Sequence, residues 1–247
     1  MTHIWAHRGA RVEAPENTLA AFAAAIDAGA DGIELDVHLT ADGRLVVHHD
    51  ETVVLPTGEP ALLRDLPYEA VRTIDVGTPG AGVHRIPTLD QVFALLAPTD
   101  LTLNVEIKDG LVRYPGIEGA VLAAERGSGM AERIVYSSFN HHTLVALRRL
   151  RRGVDIAPLY TEALVEPWLY ARRLGARAVH PFHPTLAFPG TFEGFEESGI
   201  ELRPWTVNDP AAWRSLTLAG VDAIMTDDPR AAVKVRDEVR AARHARA

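Results

Sequence analysis

The sequence predicts a (β/α)8 barrel, and three observations carry that expectation. Short apolar runs alternate with helical patterns from one end of the chain to the other. Eight of those runs read as barrel strands once the return strand of an early hairpin is set aside. The chain has 247 residues, close to the roughly 250 that such a barrel needs. A doubly wound open sheet, the competing architecture, usually carries a Gly-rich dinucleotide turn after its first strand. Here His7-Arg8-Gly9-Ala10 takes that place and no GxGxxG follows. The barrel is expected to use residues 1–247 as a single domain, with a small insertion at 51–86.

Taken in order, His3 to Ala6 is a buried-strand candidate, and Asn17 to Ala28 is a helix with Asn17 as its N-cap and Gly29 as its stop. Gly32 to Val37 is the second strand, with Ile33, Leu35 and Val37 alternating with Glu34, Asp36 and His38. Ala41-Asp42-Gly43 is a turn, and Leu45-Val46-Val47 follows too closely for a parallel crossover, so it returns antiparallel. Beyond it, the insertion is interrupted by Gly and Pro and holds one short helix near Pro67 to Thr73. Pro87-Thr88-Leu89-Asp90 opens a helix through Leu96, and Leu101 to Ile107 is the third barrel strand. Further strands are expected at Ile134 to Ser137, Asp155 to Leu159, Ala176 to His180, Glu201 to Thr206 and Asp222 to Met225. Helical patterns lie between them near Glu118 to Glu125, His141 to Leu150, Leu164 to Leu174, Phe192 to Ser198, Ala211 to Ala219 and Arg230 to Ala242, with Ala241 to Ala247 frayed.

Composition narrows the function classes. A hydrophobic content of 47% with 23% charged residues is ordinary for a globular protein with a sizeable core. A net charge of −8 leaves no basic stripe for a phosphate backbone, which argues against a nucleic-acid surface. The absence of cysteine excludes disulfides and thiolate metal sites. Neither a signal peptide nor an 18-residue apolar run is visible, so the expected location is cytoplasmic, with no membrane span.

In an α/β barrel the reacting groups sit at the C-terminal ends of the strands. The first strand ends in His7-Arg8, the second carries Glu34 and Asp36, and the third ends in Glu106-Ile107-Lys108. Residues i and i+2 of a strand share a face at roughly 6.6 Å spacing. The hairpin brings His49 back alongside Glu34 and Asp36. Three acids without a soft ligand suit a hard cation, Mg²⁺ or Ca²⁺. Three carboxylates, one divalent cation and one phosphodiester are balanced by Arg8 and Lys108, and Arg adds a planar fork for phosphate oxygens. His7 and His49 are natural proton carriers near neutral pH. The alternative for Glu34, Asp36 and Glu106 is a buried ion-pair network with Arg8 and Lys108 and no metal. Glu16 is given a part in holding Arg8. Trp205 is either a wall of the site or an aromatic barrel plug. Among the other histidines His38, His48 and His180 stand near the site. His3, His84, His141, His142, His183 and His244 are read as surface or packing residues.

These residues resemble the glycerophosphodiester phosphodiesterase family nearly end to end. The likeness runs through His7-Arg8-Gly9, Pro15-Glu16-Asn17-Thr18, Gly32 to Val37, Thr40-Ala41-Asp42-Gly43, His49-Asp50, Pro87-Thr88-Leu89, Glu106-Ile107-Lys108, Ser138-Phe139, Trp205 to Asn208 and Thr226 to Pro229. Each is weak alone; ten in order are highly specific. The resemblance implies a TIM barrel with a small insertion, metal on Glu34, Asp36 and Glu106, and acid/base work by His7 and His49. It also implies cleavage of a small-molecule glycerophosphodiester to glycerol 3-phosphate and an alcohol. The chain departs from the family pattern at Arg11 to Ala14 and near Leu55-Pro56-Thr57, both flanking the mouth, where they bear on substrate choice. Rival readings are a glycosidase, which would need no metal, a non-catalytic phosphate-binding barrel, and a related phospholipase D or lysophospholipase D acting on larger lipids.

Overall fold

The computed structural model describes residues 1–77, 80 and 82–245. Strand β1 (His3–His7) leads through α1 (Leu19–Asp27) to β2 (Gly32–Leu39), and β3 (Leu45–Val47) returns antiparallel on β2 with Val37 opposite Val47. The insertion holds a second hairpin, β4 (Thr52–Val54) and β5 (Pro60–Leu62), then α2 (Tyr68–Val71). The barrel resumes with α3 (Leu89–Leu96), β6 (Thr102–Ile107), α4 (Ile117–Glu125), β7 (Ile134–Ser138), α5 (His141–Leu150) and β8 (Ile156–Tyr160). It ends with α6 (Pro167–Leu174), β9 (Ala178–Pro181), α7 (Thr191–Ser198), β10 (Glu201–Leu202), α8 (Pro210–Ala219), β11 (Ala223–Thr226) and α9 (Pro229–His244).

Among the described residues eight parallel strands run in the order β10-β9-β8-β7-β6-β2-β1-β11. Closure between the outer two comes from single backbone bonds. Asp222 N donates to Leu202 O at 3.0 Å, and Met225 N to Pro204 O at 3.0 Å. The expected strand Glu201 to Thr206 is therefore short as a ladder: Pro204 has no N–H to give, and the segment past Leu202 makes only isolated bonds to its neighbours.

Alternation buries both faces of these strands. Outward residues such as Ile4, Ile33, Leu35, Leu103 and Val105 pack under the helices, while Trp5, Val135, Ala157, Ala178, Ala223 and Met225 plug the barrel. The insertion has its own small core, in which Val53, Leu63, Val71 and Ile74 rest on the outer face of β3 through Val46.

Three local expectations change. Asn17 does not cap α1: it sits at φ 55, and Thr18 takes the cap, its hydroxyl accepting from Ala21 N at 3.2 Å. The hairpin β4–β5 joins the one short helix expected in the insertion. Helix α9 continues to His244 in place of the expected fraying from Ala241; Arg246, Ala247 and the side chain of His244 lie outside the described residues. At the first turn Gly9 has φ +84, and a Cβ there would fall 2.7 Å from the Ala21 backbone. Only glycine lets the turn after β1 lie this close on α1.

Candidate active site

The mouth of the barrel is built at four strand ends and the turn that follows β3. His7, Arg8, Glu34, His49, Glu106, Lys108 and Trp205 line one cavity of about 220 Å³, together with Asn104, Phe139, Leu159 and Met225. Adjacent register explains the convergence: His7 pairs with Glu34, and Asp36 with Glu106. Oxygens of Glu34, Asp36 and Glu106 all lie within 4.8 Å of one another, and all three side chains are buried.

Two cations and the backbone hold these acids. Arg8 Nε stands 3.4 Å from Asp36 Oδ2, and Lys108 Nζ lies 3.4 Å from Asp36 Oδ1 and 3.0 Å from Glu106 Oε1. The Arg8 backbone N–H donates to Glu34 Oε2 at 2.9 Å, from a residue at φ 57, a left-handed conformation rare for Arg. Asn17 Nδ2 donates to Asp36 Oδ2 at 2.9 Å, which accounts for its failure to cap α1. Glu16 grips Arg8 at 2.9 Å as expected. With all three ionised, the carboxylates exceed the two cations by one negative charge, and Glu34 Oε1 and Asp36 Oδ1 are buried without a hydrogen-bond partner. Buried oxygens of that kind are costly unless something satisfies them. A hard divalent cation would do so, and the all-oxygen donor set fits one.

Both histidines are oriented by acids. His7 Nδ1 is 2.7 Å from Asp227 Oδ1, and Asn208 Nδ2 donates to Asp227 Oδ2 at 2.7 Å. His49 Nδ1 is 2.6 Å from Asp50 Oδ1. Each pairing leaves the other ring nitrogen for the cavity. Burial, ahead of every other influence, lowers the pKa of His7 despite Asp227, which keeps it a neutral imidazole near pH 7.

A sequence profile described as the glycerophosphoryl diester phosphodiesterase family matches residues 7–231. The chain belongs to that family. It is 43% identical over 238 residues to the glycerophosphodiester phosphodiesterase of Caldanaerobacter subterraneus, covering 95% of this chain and 97% of that protein. It is 35% identical to the one from Bacillus altitudinis, covering 97% and 100%. The crystal structure of glycerophosphodiester phosphodiesterase from Agrobacterium tumefaciens superposes with a TM-score of 0.80 at 28% identity, covering 94% of this chain and 98% of that one.

All eight residues singled out in the sequence meet in this family member: seven line the cavity, and Asp36 sits behind it, joined to Arg8 and Lys108. Trp205 donates from Nε1 to His180 O at 2.8 Å, meets Phe139 and Phe182 edge-on or tilted, lines the cavity and packs on the barrel plug, so the two placements open to it, wall and plug, coincide. His180 is fully buried beneath the cavity, against Trp5. Asp227, Asp50, Asn208 and the Asn17 contact were not foreseen. The signal available for Asp227 was its place at the last strand end; its partner lies 220 residues away. Arg11, where the chain departs from the family pattern, reaches Glu16 at 2.8 Å and Asp227 at 3.7 Å. Among the described residues no helix is long and apolar enough to cross a membrane.

The packed acids give the ion-free protein a pH signature. Burial first, then Asp36, raises Glu106 to about 7; burial, then Asp36 and Glu106, raises Glu34 well above its usual range. Burial alone would raise Asp36 too, but Lys108 and Arg8 bring it below the ordinary value. The folded state thus holds a proton on Glu106 that the unfolded chain releases near 4.5, so stability falls as pH rises between those values. In EDTA the melting temperature is expected to drop from pH 5 to pH 8, with a loss on the order of 3 kcal/mol from Glu106. Saturating Mg²⁺ or Ca²⁺ is expected to remove most of that slope. A flat EDTA profile from thermal denaturation contradicts the assignment.

Proposed function

We propose that this phosphoric diester hydrolase cleaves glycerophosphodiesters to glycerol 3-phosphate and an alcohol, that the reaction needs a divalent cation, and that His7 and His49 move the protons. The observation that carries the reading is the meeting of three acid oxygens, two cationic side chains and two acid-backed imidazoles around one cavity of about 220 Å³. The working unit is the whole chain, 1–247, with 51–86 as its insertion.

Glu34, Asp36 and Glu106 would hold Mg²⁺ or Ca²⁺, which when bound polarises a phosphoryl oxygen and lowers the pKa of a nearby hydroxyl. Arg8 and Lys108 grip the non-bridging oxygens and offset the charge that builds on them. His7, neutral because it is buried, takes the proton of the glycerol hydroxyl beside the phosphoryl group. The hydroxyl oxygen bonds to phosphorus, the bond to the alcohol breaks, and His49 gives its proton to the departing oxygen. Water then opens the cyclic phosphate with the roles reversed: His49 takes the water proton and His7 returns one to the glycerol oxygen. Trp205 and Phe139 close the side opposite the charges and leave the substituent an apolar wall.

The deciding assay is release of glycerol 3-phosphate from glycerophosphocholine and glycerophosphoethanolamine, with EDTA and with added Mg²⁺ or Ca²⁺. Ion-dependent release is expected; no release from either diester under any of these conditions sinks the proposal. A second reading, lysophospholipase D activity, is favoured by the apolar mouth. That wall comes from Phe139, Phe182 and Trp205 beyond β7, β9 and β10. Faster turnover of lysophosphatidylcholine than of glycerophosphocholine would select it.

A further inference from the structure

His38 follows Asp36 by two residues on β2 and is fully buried, yet it lies outside the lining of the cavity. Both of its ring nitrogens are engaged. Nε2 is 3.2 Å from the backbone carbonyl oxygen of His49, and Nδ1 is 2.8 Å from the Tyr114 hydroxyl. A carbonyl oxygen only accepts, so Nε2 carries the hydrogen and Nδ1 accepts from Tyr114. Burial also pushes the Tyr114 hydroxyl up, so it retains the proton that it donates to Nδ1.

Tyr114 is anchored in turn. Its backbone N–H donates to Asp109 Oδ1 at 2.7 Å, and Asp109, itself 1% exposed, also accepts from Thr143 Oγ1 at 3.0 Å. A line of hydrogen bonds therefore runs from the start of α5, through the loop after β6, to the turn after β3 that bears His49. That turn is tied to β2 at two points, His48 N to Asp36 O at 3.1 Å and His49 O to His38. The imidazole of His49 is 33% exposed and its Asp50 partner 70% exposed, so the side chains at the mouth give the turn little rigidity of their own.

We propose that His38 is a positioning residue for His49: backed by Tyr114, it fixes the carbonyl of the turn from which that imidazole enters the cavity, and so sets the reach of the proton donor to the leaving oxygen. This rests on the role given to His49 above. A misplacement of about 1 Å in a reacting group costs on the order of 10²-fold in rate, while the substrate's grip on Arg8 and Lys108 is untouched.

The test combines two conservative and two disruptive variants with glycerophosphocholine as substrate. His38→Leu is expected to lower kcat about 10- to 100-fold, with KM and the calorimetric Mg²⁺ affinity each within about twofold of wild type. His38→Gln, whose amide can donate to His49 O and accept from Tyr114, is expected to recover most of the loss. Tyr114→Phe is expected to cost less than His38→Leu. In a His49→Ala background, His38→Leu is expected to add no further loss, because the two act as one unit. The inference is overturned if His38→Leu keeps kcat within about twofold, if Gln is no better than Leu, or if the losses multiply in the double variant. Should His38→Leu fail to fold by circular dichroism, His38→Gln and Tyr114→Phe carry the comparison, and wild-type kcat and KM in Tyr114→Phe overturn it. Failure of the underlying function shows separately, as a wild-type protein that releases no glycerol 3-phosphate or a His49→Ala variant as fast as wild type.

Discussion

Replacing His49 with Ala is expected to lower kcat on glycerophosphocholine by about 10²- to 10⁴-fold, and His7→Ala by a similar factor, the range that general acid–base catalysis ordinarily supplies. Neither imidazole touches the acid cluster by hydrogen bond: His7 is spoken for by Asp227 and His49 by Asp50. Divalent-ion affinity measured by calorimetry should therefore stay within a few-fold of wild type in both variants. The double variant should be little slower than the worse single one, because a proton taken without a proton given leaves the step incomplete. Asp227→Asn supplies the control for orientation, since it keeps the shape of the site but lets His7 turn or change tautomer; a loss smaller than that of His7→Ala is expected. Wild-type turnover from either alanine variant would remove that residue from the chemistry.

Removing the divalent ion is expected to abolish turnover, and Asp36→Asn to do the same even with the ion in excess. The cause is electrostatic: Asp36 is 1% exposed and shared between Arg8 and Lys108, and its Oδ1 has no hydrogen-bond partner. An ion present at about 100 times its Kd stabilises the fold by about 2.7 kcal/mol, which for a chain of this size raises the melting temperature by roughly 5–10 °C. Asp36→Asn should lose that shift along with activity. Full activity in EDTA would favour the metal-free ion-pair reading of the same three acids, in which burial of paired charges is the whole story.

How far the sequence could be read depended on the range of the interaction. Strands whose two faces are both buried announce themselves by apolar runs, and the i, i+2 rule alone put Glu34 with Asp36 and Glu106 with Lys108. The hairpin after β2 was legible because its turn is too short for anything else, and it delivered His49. Asn17 was misread for the same local reason: an Asn before a helical pattern is a good cap, and nothing nearby reveals that its amide is taken by Asp36, 19 residues on. The segment after Glu201 looked like a full strand, since propensity does not show that its bonds are divided between β9 and β11. The acid behind His7 depends on closure of the barrel across 220 residues, and the support of His38 by Tyr114 on the pairing of β2 with β6 across 76; no window of sequence contains either.

Strand β1 takes its place between β2 and β11, with His3 opposite Ala223 and Ala6 opposite Thr226. A ribosome thus releases the first strand of the molecule some 200 residues before its second neighbour exists. Until the far end emerges, the nascent chain presents an open sheet with two raw edges, the sort of surface that chaperones shield. His7 likewise waits for Asp227. Hydrolytic competence should therefore arrive in one late step of synthesis, and a polypeptide released before Ala223 should be an aggregating fragment and not a slower enzyme.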